Sequence, residues 1–196
     1  MPSEKPFGYP LRKAFFLLDI LVFLCYTDTM TYKSAYEKTA AFFNARPIAK
    51  KCLLLSNHLV TGTFFLAYFA LCIASFFLFG TKDIIKIFAI PAFCLLVVSV
   101  LRVLINRPRP YSEHGANIDP ILHKKSKDKE SFPSRHVACA FVIASVFLPY
   151  LAWAGIALMP LGLILCFIRF ALGLHYPTDL IGGIFVGLAC GLFLLI

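Results

Sequence analysis

Charge is scarce in this chain, since only 15% of its 196 residues are Asp, Glu, Lys or Arg and only 10 of those are acidic. So few carboxylates, with no cluster among them, leave no dedicated cage for Mg²⁺ or Ca²⁺. The 7 cysteines form no CxxC and share no metal spacing with histidine, which excludes zinc fingers and dithiol redox motifs. They read instead as small buried hydrophobes. A Walker A loop and any internal repeat are also missing, so P-loop and solenoid architectures drop out. What is abundant is apolar: 60% hydrophobic residues, 21 Phe and a mean hydropathy of +0.81. Soluble domains are nearer about 45–50% apolar and about 25% charged. The composition is that of a membrane protein, and its length suits a single domain over 1–196.

The charge that exists is mostly positive, 19 Lys and Arg giving a formal +9. Such a balance suits nucleic acid, anionic headgroups or a phosphorylated substrate, and composition does not choose among them. The opening MPSEKPFGYPLRK is polar, and the apolar stretch after it ends in CYTDTM rather than a small-residue cleavage site. A removable signal peptide is therefore not expected.

Six apolar segments can be read. The first, 14–30, is short and carries Asp19, so it is expected to be a tilted span or an interfacial helix. Residues 31–51 are basic and aromatic without a continuous apolar run, which suits a helix in the headgroup region or a solvated connector. The second and third segments are 52–79 and 87–105, with Pro91 a kink site in the latter. A polar stretch of about thirty residues (105–135) follows, and function is expected there first. The fourth, fifth and sixth segments are 137–148, 151–172 and 180–196. The last holds Gly182, Gly183, Gly187 and Gly191, a spacing that suits close helix packing.

If segments three to six alternate in direction, the end of three, the start of four, the end of five and the start of six share one membrane face. Arg102, Arg107 and Arg109, then Ser134 to His136, then Arg169, then His175 and Asp179 would meet there. Arginines at span ends are costly unless used. Guanidinium groups match tetrahedral oxyanions in paired hydrogen bonds, so Arg102, Arg109 and Arg169 together suit a phosphate. Arg107 reads as a snorkelling anchor. His175 and Asp179 stand at i and i+4, where a helical turn would let the carboxylate accept Nδ1–H and leave Nε2 available. Ser134 and His136 open the fourth helix, whose unpaired backbone N–H groups favour anions and whose imidazole can protonate a leaving oxygen. With cations, a nucleophile and an acid present, phosphoryl transfer without a metal or other cofactor is expected.

At these residues the chain resembles the type 2 phosphatidic acid phosphatase (PAP2) superfamily of integral-membrane lipid phosphatases. That family's pattern is Lys, six residues, Arg-Pro; then Pro-Ser-Gly-His; then Ser-Arg, five residues, His, three residues, Asp. Here it reads Arg102-VLINRP-Arg109-Pro110, Pro133-Ser134-Arg135-His136 and Ile168-Arg169-FALGL-His175-YPT-Asp179. The resemblance implies an all-α bundle of six transmembrane helices with a polar active-site loop between helices three and four. It also implies phosphate binding by Arg102, Arg109, Arg169, Ser134 and the backbone at Arg135. His175 would be the nucleophile, Asp179 its orienter and His136 the acid.

Arg102 for Lys keeps a charge, Ile168 for Ser deletes a donor, and Arg135 for Gly adds a cation that could meet a second phosphate. His114 and His123 lack a third metal ligand, and the 124–129 lysine run reads as solvated. The expected substrate is a lipid phosphomonoester or diphosphate of the isoprenoid, phosphatidylglycerol phosphate or phosphatidate type, met in the bilayer of the cell membrane, with no nucleic-acid partner. A lipid phosphotransferase, or a binding-only transporter or scaffold, would use the same residues. By the resemblance the site faces the extracytoplasmic side, although the Lys and Arg of 31–51 and 105–135 oppose that orientation under the positive-inside tendency.

Overall fold

A computed structural model describes residues 29–122 and 129–193. The first expected segment, 14–30, and the lysine run fall almost wholly outside them. Within them the chain forms helices α1 (Thr29–Asn44), α2 (Pro47–Leu78), α3 (Thr81–Ile105), α4 (Arg135–Phe147), α5 (Ala152–Ala171) and α6 (Pro177–Phe193). No strand occurs among the described residues.

The stretch expected as a headgroup helix or solvated connector is two different things. Residues 29–44 form α1, whose Tyr32, Tyr36 and Ala40 make a buried face at four-residue spacing. Tyr32 meets Tyr176 edge-on at 4.9 Å and Phe170 at 5.5 Å, so α1 is packed and not a solvated connector. Residues 47–51 belong to α2 instead. Pro47 sits in its first turn, where a missing N–H costs nothing, so the helix begins five residues before the expected Cys52. Its 32 residues span about 48 Å at 1.5 Å per residue.

Gly80 separates α2 from α3, which starts six residues earlier than its apolar run. Inside α3, Pro91 cannot donate to the carbonyl of Ile87. The hydroxyl of Tyr68 on α2 donates to that oxygen instead, at 3.2 Å. The helix stops at Asn106, which adopts a left-handed conformation (φ 44°) just ahead of Arg107 and Pro108.

Among the described residues three helices, α2, α3 and α5, are long and apolar enough to cross a membrane. The shorter α4 and α6 are apolar too, and α4 is almost wholly buried from Val137 to Phe147. It forms the centre of the bundle, with α6, α5 and α3 packed around it. The glycines of α6 make this possible. A Cβ at Gly187 would stand 2.6 Å from the Ala138 carbonyl, and one at Gly191 would stand 2.3 Å from Cβ of Ser145. Outer faces remain apolar and exposed, as at Phe77 and Trp153, as expected of helices bathed in lipid. Of the cysteines, Cys72, Cys94 and Cys190 are buried, but Cys52 is exposed, contrary to the expectation that all are core residues.

Candidate active site

The end of α3, the loop after it, the start of α4, the end of α5 and the turn before α6 meet around one cavity of about 130 Å³. It is lined by Arg102, Arg109, Arg135, His136, Arg169, Leu174 and His175. Residues more than seventy positions apart in sequence are thereby brought to one place.

Arg102, in the last turn of α3, is buried; its Nη1 donates to the Pro133 carbonyl at 3.1 Å, while its Nε is buried without a partner. Arg169, in the last turn of α5, is held by a long contact of 3.4 Å from Nη2 to the Thr61 hydroxyl of α2, and its Nε also lacks a partner. Arg109 reaches over from the loop, its Nε 3.4 Å from the Lys129 carbonyl. Ser134 occupies the N-cap of α4, where a serine hydroxyl ordinarily accepts a helix N–H. Here it makes no such bond: its backbone N–H donates to the Asp179 carbonyl at 2.9 Å, and its Oγ is fully buried without a partner. Two buried Nε atoms of the cavity-lining arginines and the buried Oγ of Ser134, next to the lining residue Arg135, thus make no hydrogen bond among the described residues, a pattern that buried groups rarely tolerate without a function.

The opposite side of the site is saturated. His175 lies in the turn after α5, which Gly173 makes possible: its φ is +74°, and a Cβ there would stand 2.9 Å from the Tyr36 ring. His175 Nδ1 is 3.0 Å from the Ser131 carbonyl and 3.5 Å from Asp179 Oδ2. The expected Nδ1–H to carboxylate bond is therefore directed to a backbone carbonyl, with the carboxylate just beyond it. The reason is that Asp179 is already occupied. Its Oδ2 accepts the Ser131 hydroxyl at 2.5 Å and the Tyr176 N–H at 3.0 Å, and its Oδ1 accepts Arg107 Nη1 at 2.8 Å. Either acceptor holds the proton on Nδ1 and leaves Nε2 for the cavity. Burial pushes the His175 pKa down, the nearby Asp179 pulls it back up, and Arg109 and Arg169 lower it further. The net lowering favours neutral imidazole.

The roles of two members of this corner escaped the sequence reading, although Arg107 was expected on this face. Arg107 is no snorkelling anchor: it is 6% exposed, ion-paired to Asp179, hydrogen-bonded at 2.6 Å to Thr178 and stacked 3.9 Å from the Tyr176 ring. Ser131 stands two residues ahead of the Pro133-Ser134 pair and carried no signal. The candidates Arg102, Arg109, Arg135, His136, Arg169 and His175 do converge, with Asp179 behind His175. His114 stands exposed in the loop, and His123 falls outside the described residues.

A second cavity, about 160 Å³, adjoins the first. Phe64, Phe65, Leu95, Cys139 and Ile143 make it apolar, and Arg135 and His136 line both cavities.

A helical bundle with apolar outer faces and a cluster of arginines and histidines around one polar cavity defines a membrane protein with a cationic site. The family model of the PAP2 superfamily matches residues 83–196, a stretch that contains every cavity-lining residue named for the first cavity. The chain belongs to the PAP2 superfamily. It is 36% identical over 107 residues to the candidate undecaprenyl-diphosphatase YbjG of Escherichia coli (strain K12). That alignment takes in 54% of this chain and 52% of the relative, so the match spans about half the length of each. Among solved structures, the fold is similar to a transmembrane PAP2 type phosphatidylglycerolphosphate phosphatase from Bacillus subtilis, with TM-score 0.70 and 22% identity over 92% of both chains. It is also similar to LpxE from Aquifex aeolicus, with TM-score 0.61 and 24% identity over 81% of this chain and 93% of that one.

Proposed function

We propose that this protein hydrolyses a lipid phosphomonoester or diphosphate at the membrane surface, through a phosphohistidine on His175 and without a metal. The observation that carries this reading is the gathering of four arginines and two histidines around a single cavity, with His175 held in the tautomer that offers Nε2. The 36% identity to a protein named for undecaprenyl diphosphate supports the substrate class.

In this mechanism Arg102, Arg109 and Arg169 neutralise the phosphoryl oxygens, and the Ser134 hydroxyl and the N-terminus of α4 add donors. Nε2 of neutral His175 attacks phosphorus; the Nε2–P bond forms as the P–O bond to the lipid breaks, and His136 gives its proton to the departing oxygen. Water, deprotonated by His136, then attacks phosphorus, releasing phosphate and restoring neutral His175. Asp179 stabilises the positive imidazole that forms in between. A wall of guanidinium groups repels a divalent cation and itself supplies the charge a metal would bring. The site is proposed to face the extracytoplasmic side, with the lipid tail retained among the helices.

The test is phosphate release from a panel of lipid mono- and diphosphates in detergent with EDTA, comparing wild type with His175→Ala. Release by wild type alone is expected, with a loss on the order of 10⁴-fold or more in the variant. Loss of wild-type turnover in EDTA would sink the metal-free mechanism. Phosphate appearing on an added alcohol rather than in solution would identify a phosphotransferase.

A further inference from the structure

We infer that the preferred headgroup is a diphosphate and that Arg135 is the residue that selects it. This rests on the phosphatase reading above and assigns the part of the substrate next to the leaving oxygen.

The placing of the substrate follows from which residues line each cavity and which line both. The transferred phosphoryl lies with His175, Arg102 and Arg169 in the polar cavity, the leaving oxygen lies at His136, and the tail continues into the apolar cavity. Arg135 and His136 are the two residues that line both, so whatever follows the leaving oxygen passes Arg135. In a monoester that next group is a methylene, which offers the exposed Arg135 guanidinium no acceptor. In a diphosphate it is a second phosphate, whose charge would otherwise enter an apolar cavity lined by Phe64, Phe65 and Leu95. A cation at that boundary suits the second substrate and not the first.

The position of Arg135 in its own helix points the same way. It is the first residue of α4, whose first turn holds no acidic side chain. Helix N-termini favour anionic side chains and disfavour cations, typically by about 0.3–1 kcal/mol. An arginine there works against local helix preference. Combined with the dipole of the same turn, it makes a strong site for an anion.

The reaction balances as follows. Nε2 of His175 bonds to the terminal phosphorus, the bridging P–O bond breaks, and the lipid monophosphate leaves with the proton of His136. Water then splits the N–P bond, giving inorganic phosphate. The net change is lipid diphosphate plus water to lipid monophosphate plus phosphate.

The experiment compares kcat/KM for farnesyl diphosphate and farnesyl monophosphate, which share one tail, with the full-length protein in detergent. Wild type is expected to favour the diphosphate. Arg135→Gly is expected to cut that ratio about ten- to hundredfold, the scale of a charge-assisted hydrogen bond, and Arg135→Lys to give an intermediate ratio. Arg135→Gln, which removes the charge but keeps a helix-compatible side chain, supplies the ratio if Gly loosens the start of α4. A wild-type preference for the monophosphate, or a ratio unchanged in both neutral variants, would overturn the assignment of Arg135 while leaving the phosphatase reading intact. No release from either lipid by wild type would overturn both.

Discussion

Two corners of the site use the same residue type in opposite ways. Around Asp179, Arg107 is fully engaged: its guanidinium meets the carboxylate, the Thr178 hydroxyl and the Tyr176 ring. Across the cavity, Arg102 and Arg169 are equally buried but have no carboxylate partner among the described residues, and each keeps an Nε without an acceptor there. A buried ion pair whose remaining lone pairs are filled is fixed in one arrangement. Buried cations lacking an anion are a cost to the folded state that an anionic ligand would relieve. The first corner aims a histidine; the second is built for something that arrives from outside.

The sharpest way to break this contrast is to make one substitution in both corners. Arg107→Met leaves Asp179 buried without its cation and is expected to destabilise by about 3–5 kcal/mol. Arg169→Met removes an unmatched buried charge of similar volume. Its melting temperature should hold or rise, while kcat/KM for lipid phosphate falls about 10²–10³-fold. Thermal unfolding in detergent beside phosphate release reads both effects, and equal destabilisation by the two variants would remove the distinction.

A smaller effect is expected of Ser131→Ala. It deletes the hydroxyl that donates to Asp179 at 2.5 Å but keeps the carbonyl that receives His175 Nδ1. The loss should be about 1.5–3 kcal/mol, the range for a hydrogen bond to a charged group, with the His175 tautomer retained. An unchanged melting temperature would show that the carboxylate finds another donor.

The smallest effect is on pH dependence. In the proposed mechanism attack needs neutral His175, so the rate should fall as acid protonates it, and burial together with the nearby arginines sets that limb below the ordinary histidine value of 6.5. Arg109 lowers the pKa of His175; Arg109→Gln should therefore move the acid limb of kcat/KM towards higher pH. A limb that stays in place would mean that Arg109 does not act on His175 from across the cavity.

How much of this was legible beforehand follows from the same contrast. The open corner was readable because its residues sit at fixed spacings beside apolar runs, where a lone arginine or histidine stands out. The convergence of Arg102, Ser134, Arg169 and His175 followed from alternating helix directions. The saturated corner was hidden because its partners are ordinary when seen singly. Arg107, at the end of a hydrophobic run, has the same local surroundings as a headgroup anchor, and only the fold shows the carboxylate seventy-two residues away. Ser131 sits in a polar loop where any serine would pass. Helix α1 could have been found from Tyr32, Tyr36 and Ala40 at four-residue spacing, but lysines between them masked the stripe. Helix starts shifted because Pro47 and Thr81 begin their turns in polar residues that hydropathy assigns to loops.

The Tyr36 hydroxyl has a reach beyond its own helix. It donates to the Asp119 carbonyl and accepts from the Ile121 N–H, both at 3.0 Å, while the Tyr176 hydroxyl accepts the Ala116 N–H at the same distance. The connection that carries Arg107 and Arg109 is long, and an unpinned segment of that length would sample many shapes at a cost of about 1–2 kcal/mol per residue when ordered. Two tyrosines, one ahead of the family-matched region and one at the active-site turn, remove much of that freedom before any substrate binds. The order of residues 116–121 in that connection is thus an entropic debt settled during folding, partly by a helix that holds none of the catalytic candidates.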